Sequence, residues 1–143
     1  MLGRKDYTRN ELDHAKAAVA EQLRAYAALD RVVRATKDAK AVAALEAFEP
    51  VLFNSLILAL DRSFVHRVRP VAGKDSNPLN EVELLSESLL GSDEFRPGTV
   101  IKYKPEQSVL GLEAGDRIEL TPATFEALAA AFFADLEAKF VAS

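Results

Sequence analysis

PVLFNSLILALDRSFVHRVRPVAGKDSNPLN, residues 50–80, is the stretch from which the rest of the chain can be placed. Val51, Leu52, Phe53, Leu56, Ile57, Leu58, Ala59 and Leu60 follow one another almost without a break. At helical spacing they cover most of the circumference, which predicts a buried helix. Projected at about 100° per residue, Phe53, Ile57, Leu60, Phe64 and Val68 fall on one side. Asn54, Asp61, Arg62, His66 and Arg69 fall in an opposite polar arc. Pro70 lacks an N–H and restricts the residue before it, so the helix ends there and the loop GKDSN leads to Pro78.

On the N-terminal side, Thr8 and Glu11 have the spacing of a capping box. Leu12, Ala15, Val19, Leu23, Tyr26 and Val33 continue the pattern, giving a long helix over about 8–35. Residues 38–48 are Ala-rich, with Val42, Leu45 and Phe48 on one face. Pro50 would clash with the Glu46 carbonyl in a straight helix, so a stop or kink is expected near Glu49 and a core helix over about 50–69. A kinked continuous helix is the alternative.

On the C-terminal side, Asn77 and Pro78 read as N-cap and first helical residue of a short amphipathic helix, 77–90, ended by Gly91. VIKY, SVLGL and DRIEL are β-prone runs separated by the turns KPEQ and EAGD, which predicts a small antiparallel meander over about 99–121. Thr121 and Pro122 start a last helix, 122–141, with Phe125, Leu128, Phe132, Phe133, Leu136 and Phe140 on its apolar face. The expected fold is mainly α, formally α+β: one domain over 1–143, a bundle of four to five helices with a β meander before the last.

With 143 residues the chain can bury a core without staples. No cysteine is present, which excludes disulfides, a thiolate nucleophile and a Cys-based zinc site. The net charge of −4 gives no general attraction to nucleic acid. MLGRKDYTRN has no apolar run behind its basic residues, and the Val51–Leu60 run is too short to span a bilayer. A cytoplasmic protein with no membrane partner is expected. The two histidines are His14 and His66, so no metal site and no cofactor is expected.

Chemistry concentrates in two places. Arg62 and His66, four residues apart on one helical face, would set an imidazole beside a fixed cation, a pair suited to phosphate-ester chemistry. Asp61 and Arg69 complete that stripe. The second place is the loop Gly73–Asn77, where Lys74, Asp75, Asn77 and a helix N-terminus can bind a small anion through backbone N–H groups. It lacks Walker A spacing, so it is no P-loop.

The segment Arg62-Ser-Phe-Val-His66 resembles the HEPN group of helical nucleases and nucleotide-binding proteins, whose usual pattern is an Arg, four to six residues and a His; here three intervene. That resemblance implies metal-independent RNA cleavage or nucleotide chemistry by Arg62 and His66 of two subunits. VAGKDSNPLNEVELL with IKYKPEQSVLGLEAGDRIELT is similar to a family of small uncharacterised bacterial proteins, which implies a single bacterial domain and supplies no catalytic residue.

The leading expectation is therefore a non-enzymatic helical binding or interaction domain. It would be a homodimer through one apolar helix, taking a protein or small anionic ligand at Asp61, Arg69, Lys74, Asp75 and Asn77. Nucleic acid enters only with the nuclease reading. A further possibility is a small-molecule pocket between bundle and meander, lined by Tyr103 and the last helix's phenylalanines.

Overall fold

The computed structural model describes residues 7–68 and 73–141, without the side chains at 63 and 65–68. The described residues form four helices: α1 (Arg9–Ala35), α2 (Ala39–Val68), α3 (Pro78–Gly91) and α4 (Pro122–Phe140). The fold is mainly α.

The helix starts follow local chemistry. Thr8 Oγ1 accepts from Glu11 N–H while the Glu11 carboxylate accepts from Thr8 N–H, closing the capping box of α1. Asp38 Oδ1 accepts from the Lys40 and Ala41 N–H groups at the start of α2. Asn77 caps α3, and Thr121 with Thr124 caps α4. The α1–α2 turn, Thr36–Asp38, places Lys37 at φ +57°.

The expected break at Glu49 does not occur. Residues 39–68 form one 30-residue helix with Pro50 inside it, so the predicted pieces 38–48 and 50–69 are one element and the helices number four, not five, among the described residues. Pro50 leaves the Glu46 carbonyl without its usual donor, a defect of roughly 3 kcal/mol in an isolated helix. Tertiary contacts on both sides of the proline hold it: Leu45 and Phe53 are both buried, and the Tyr26 hydroxyl donates to the Glu49 carboxylate at 2.7 Å.

The predicted meander over 99–121 is also absent. Among the described residues no strand forms; only isolated bridges join Glu94 to Arg117 and Tyr7 to Val141, with one 3-10 turn at Pro105–Gln107. The reason lies in where the amides of residues 92–121 go. Val109 and Leu110 N–H donate to the Glu81 carboxylate, Lys104 N–H to Ser76 Oγ, Gly111 N–H to Ser108 Oγ and Arg96 N–H to Ser88 Oγ. Side chains take many of the donors a ladder would have used, and the backbone pairing that remains, Phe95 N–H to Asp116 O and Ile118 N–H to Asp93 O, amounts to the one Glu94–Arg117 bridge, so the segment is an irregular strap across α3.

The core joins α2, α3 and α4. One aromatic chain runs Tyr26–Phe53–Phe125, with centroids 5.0 and 5.5 Å apart. A second gathers Tyr7, Phe64, Phe132 and Phe133. Under the strap, α3 is buried almost all round, Asn80, Glu81, Ser86 and Ser88 included, rather than amphipathic. By contrast α1 buries only Leu12 and Tyr26.

Candidate functional site

The polar arc of α2 divides into unlike parts. Asn54 is structural: its Nδ2 donates to Ile118 O at 2.8 Å and its Oδ1 accepts from Leu120 N–H at 3.2 Å, stitching the end of the strap to α2. Asp61 is half-buried and Arg62 exposed. His66 lies on α2 four residues beyond Arg62, but its side chain is outside the described residues, and so is Arg69 altogether.

The Gly73–Asn77 loop is an interlocked joint. Asn77 Oδ1 accepts from Asn80 N–H at 2.8 Å, and Asn77 Nδ2 donates to Asp75 Oδ1. The buried Asn80 amide donates to the carbonyls of Gly73 and Asp75. Gly73 has φ +81°, and a Cβ there would lie 2.8 Å from Asp75 Oδ1. Lys102 N–H donates to Lys74 O. Asn77 is thus buried and committed to the joint, and Asp75, though exposed, accepts from the Asn77 amide, whereas the exposed Lys74 takes part in the joint through its backbone carbonyl.

Among the described residues Glu81 is the one charged residue of the buried core, 3% exposed, with its carboxylate on two successive N–H groups at 2.8 and 3.0 Å. Burial pushes its carboxyl up from the ordinary range, and the bonds from Val109 and Leu110 oppose that rise. Tyr103 is equally occupied: its hydroxyl donates to Leu112 O at 2.6 Å and its ring stands edge-on to Phe95. Burial raises its pKa as well. The phenylalanines of α4 are in the core, so Tyr103 fastens the strap and does not line a pocket with them.

The feature not singled out from the sequence is the outer face of the α1–α2 hairpin. Ala44, Phe48, Val51, Ser55 and Ala59 are exposed and share the side of α2 opposite Phe53, Ile57, Leu60 and Phe64. Glu46 and Glu49 lie toward α1, where Arg34 and Tyr26 meet them. Between the helices runs an apolar groove. Its tip end, about 300 Å³, is lined by Leu29, Phe48 and Leu52; its base end, about 330 Å³, by Ala15, Ala18, Ala59 and, from α4, Phe133. Gln22 and Leu56 line both. His14 and Glu11 sit at the base rim.

The sequence signal for this face is present in retrospect. No ionisable residue occupies the outer side of α2 from Ala41 to Ala59, and alanines recur where α1 faces the groove. The Ala39–Arg62 part of α2 is long and apolar enough to cross a membrane by length and composition, and 17% of its most apolar window is buried. Its second half carries Phe53, Ile57 and Leu60 of the core.

Among the described residues no group of three His, Cys, Asp or Glu side chains is placed to hold a metal ion. Compared with known proteins, the chain matches no family model, no curated protein and no solved structure.

Proposed function

We propose that this protein is a non-enzymatic helical interaction domain that works as a homodimer, with the exposed apolar face of the α1–α2 hairpin as its binding surface. One observation carries the reading: α2 is apolar on its core side and, from Ala41 to Ala59, carries no ionisable residue on the opposite side either, yet that opposite side faces water. A helix of that kind is stable in solution when both sides are covered. Leu29, Val32, Phe48 and Val51 are 47%, 62%, 43% and 62% exposed. Together they leave on the order of 350–400 Å² of apolar surface, the size of patch at which a monomer's surface is commonly functional. Arg62, exposed at the end of the same face, is the cation that would hold a small anionic ligand beside it.

The test is native mass spectrometry with sedimentation at micromolar concentration. A dimer is expected, and Phe48→Glu with Val51→Glu should give a monomer of unchanged helical content by circular dichroism. A wild-type chain that stays monomeric across the range would end the homodimer reading.

A further inference from the structure

We infer that the hairpin face is self-complementary: two copies pack antiparallel about a two-fold axis that lies across the groove, so that Phe48 and Leu29 of each enter the alanine-lined cleft of the other. The inference rests on the interaction-domain reading above and specifies its partner and geometry. The groove is not uniform along its length. Its tip end carries the large exposed side chains Leu29 and Phe48, and its base end is hollowed by Ala18 and Ala59.

The spacing of knobs and hollows is the same on both helices. Ala18 to Leu29 is eleven residues on α1, and Phe48 to Ala59 is eleven on α2. Eleven residues are about three turns, or roughly 16 Å, so each pair lies on one face. In the antiparallel hairpin, Leu29 stands beside Phe48 and Ala18 beside Ala59. A two-fold axis perpendicular to both helices, midway along the groove at the level of Leu23–Arg24 on α1 and Phe53–Asn54 on α2, reverses the groove's direction. It sets Phe48 over the partner copy's Ala59 and Leu29 over its Ala18. Both contacts form from one rotation, as a closed isologous dimer requires.

Size and charge fit the same occupant. From Glu11 to Leu29 the groove runs about 27 Å, and two helices packed side by side are roughly 20 Å across. That footprint, about 540 Å² per partner before side-chain relief, is about two thirds of the roughly 800 Å² of a standard interface, and the two partners together just clear the roughly 1,000 Å² that a specific dimer needs. Gln22 is the polar side chain common to both halves, and Glu11 and His14 stand at the base rim only. Facing copies thus meet no like charge along the middle of the groove.

A knob exchange tests the geometry separately from dimerisation itself. Phe48→Ala removes the knob and Ala59→Phe fills the hollow. Both positions are exposed, so circular dichroism should show the helices intact. Each variant alone should weaken the dimer at least about tenfold, as loss of a central aromatic anchor does. An equimolar mixture of the two variants should form a heterodimer, seen by mass, because each chain then supplies what the other lacks. If the wild type dimerises but the mixture gives no heterodimer, this packing is overturned and the interaction-domain reading stands. If Ala59→Phe leaves the dimer intact, the packing is likewise overturned. A monomeric wild type overturns both, and a monomer that co-sediments with phosphatidylcholine vesicles would give the face to lipid instead.

Discussion

Replacing Asn54 separates a structural amide from a surface one. Its side chain makes two bonds to the backbone on either side of Glu119, where Ile118 is 0% and Leu120 2% exposed. Asn54→Ala removes a donor and an acceptor together and leaves a buried carbonyl and a buried N–H unpaired. Each lost bond is worth about 1 kcal/mol net, and each orphaned group adds to that, so the variant should lose about 2–4 kcal/mol. With a urea slope near 2 kcal/mol/M, the unfolding midpoint should fall by about 1–2 M. The assay is urea unfolding followed by circular dichroism at one fixed protein concentration, since dimerisation would couple to stability. Asn54→Asp sharpens the test. It retains the acceptor for Leu120 N–H and sets an anion against the Ile118 carbonyl, so at neutral pH it should cost at least as much as alanine. That variant's folded carboxyl is raised, so its deficit should shrink as the pH is lowered through the folded pKa toward the ordinary Asp range and return as the pH rises again. An Asn54→Ala protein within about 0.5 kcal/mol of wild type, the ordinary range for a surface substitution, would refute the anchoring role.

The remaining predictions concern the core, the strap and the loop. Glu81 has a folded pKa raised by burial, so its share of stability is present at low pH and is lost as the pH rises from the usual 4.5 through the folded value. Glu81→Gln should lack that slope, so the wild-type-minus-variant stability difference should fall as the pH rises from about 4 to about 7; a pH-independent difference would show another group responsible. Phe53→Ala, at a side chain 0% exposed between Tyr26 and Phe125, should cost about 3–5 kcal/mol in the same unfolding assay, and a loss under about 1 kcal/mol would remove Phe53 from the core. Gly73→Ala should cost about 1–2 kcal/mol, because the left-handed backbone and the Asp75 carboxylate both oppose a Cβ; a neutral result would mean the joint is not held as described.

Local signals were the most legible part of the chain. Thr8 with Glu11, Asn77 before Pro78, and Thr121 before Pro122 each act over three or four residues, so the residues that name a helix start also build it. Pro50 misled because its cost is also local while the contacts that override it, Leu45 and Phe53 with α1 and the core, are not. The strap misled for a related reason. VIKY, SVLGL and DRIEL have strand-like composition, but the amides in or beside them are held by Ser76, Glu81 and Asn54, distant in sequence, and strand-like pairing of DRIEL stops at the isolated bridge of Glu94 with Arg117. In the candidate site, periodicity correctly set Asn54 apart from the apolar side of α2, but it could not say that its amide faces backbone instead of a ligand. Nor could it reveal that α2 keeps an uncharged side in water, since burial depends on how many elements arrive to cover a face.

In a ladder each amide's protection is shared with its neighbours on both sides, but the strap is fastened point by point. Val109 and Leu110 hang from Glu81, Lys104 from Ser76, Arg96 from Ser88, and Leu120 from Asn54. Hydrogen exchange should therefore separate those five amides into short stretches, each opening with a free energy set by the side chain that holds it, whereas Phe95, Gly115 and Ile118, bonded to backbone carbonyls, should exchange together. The strap can be loosened at one anchor while the others hold.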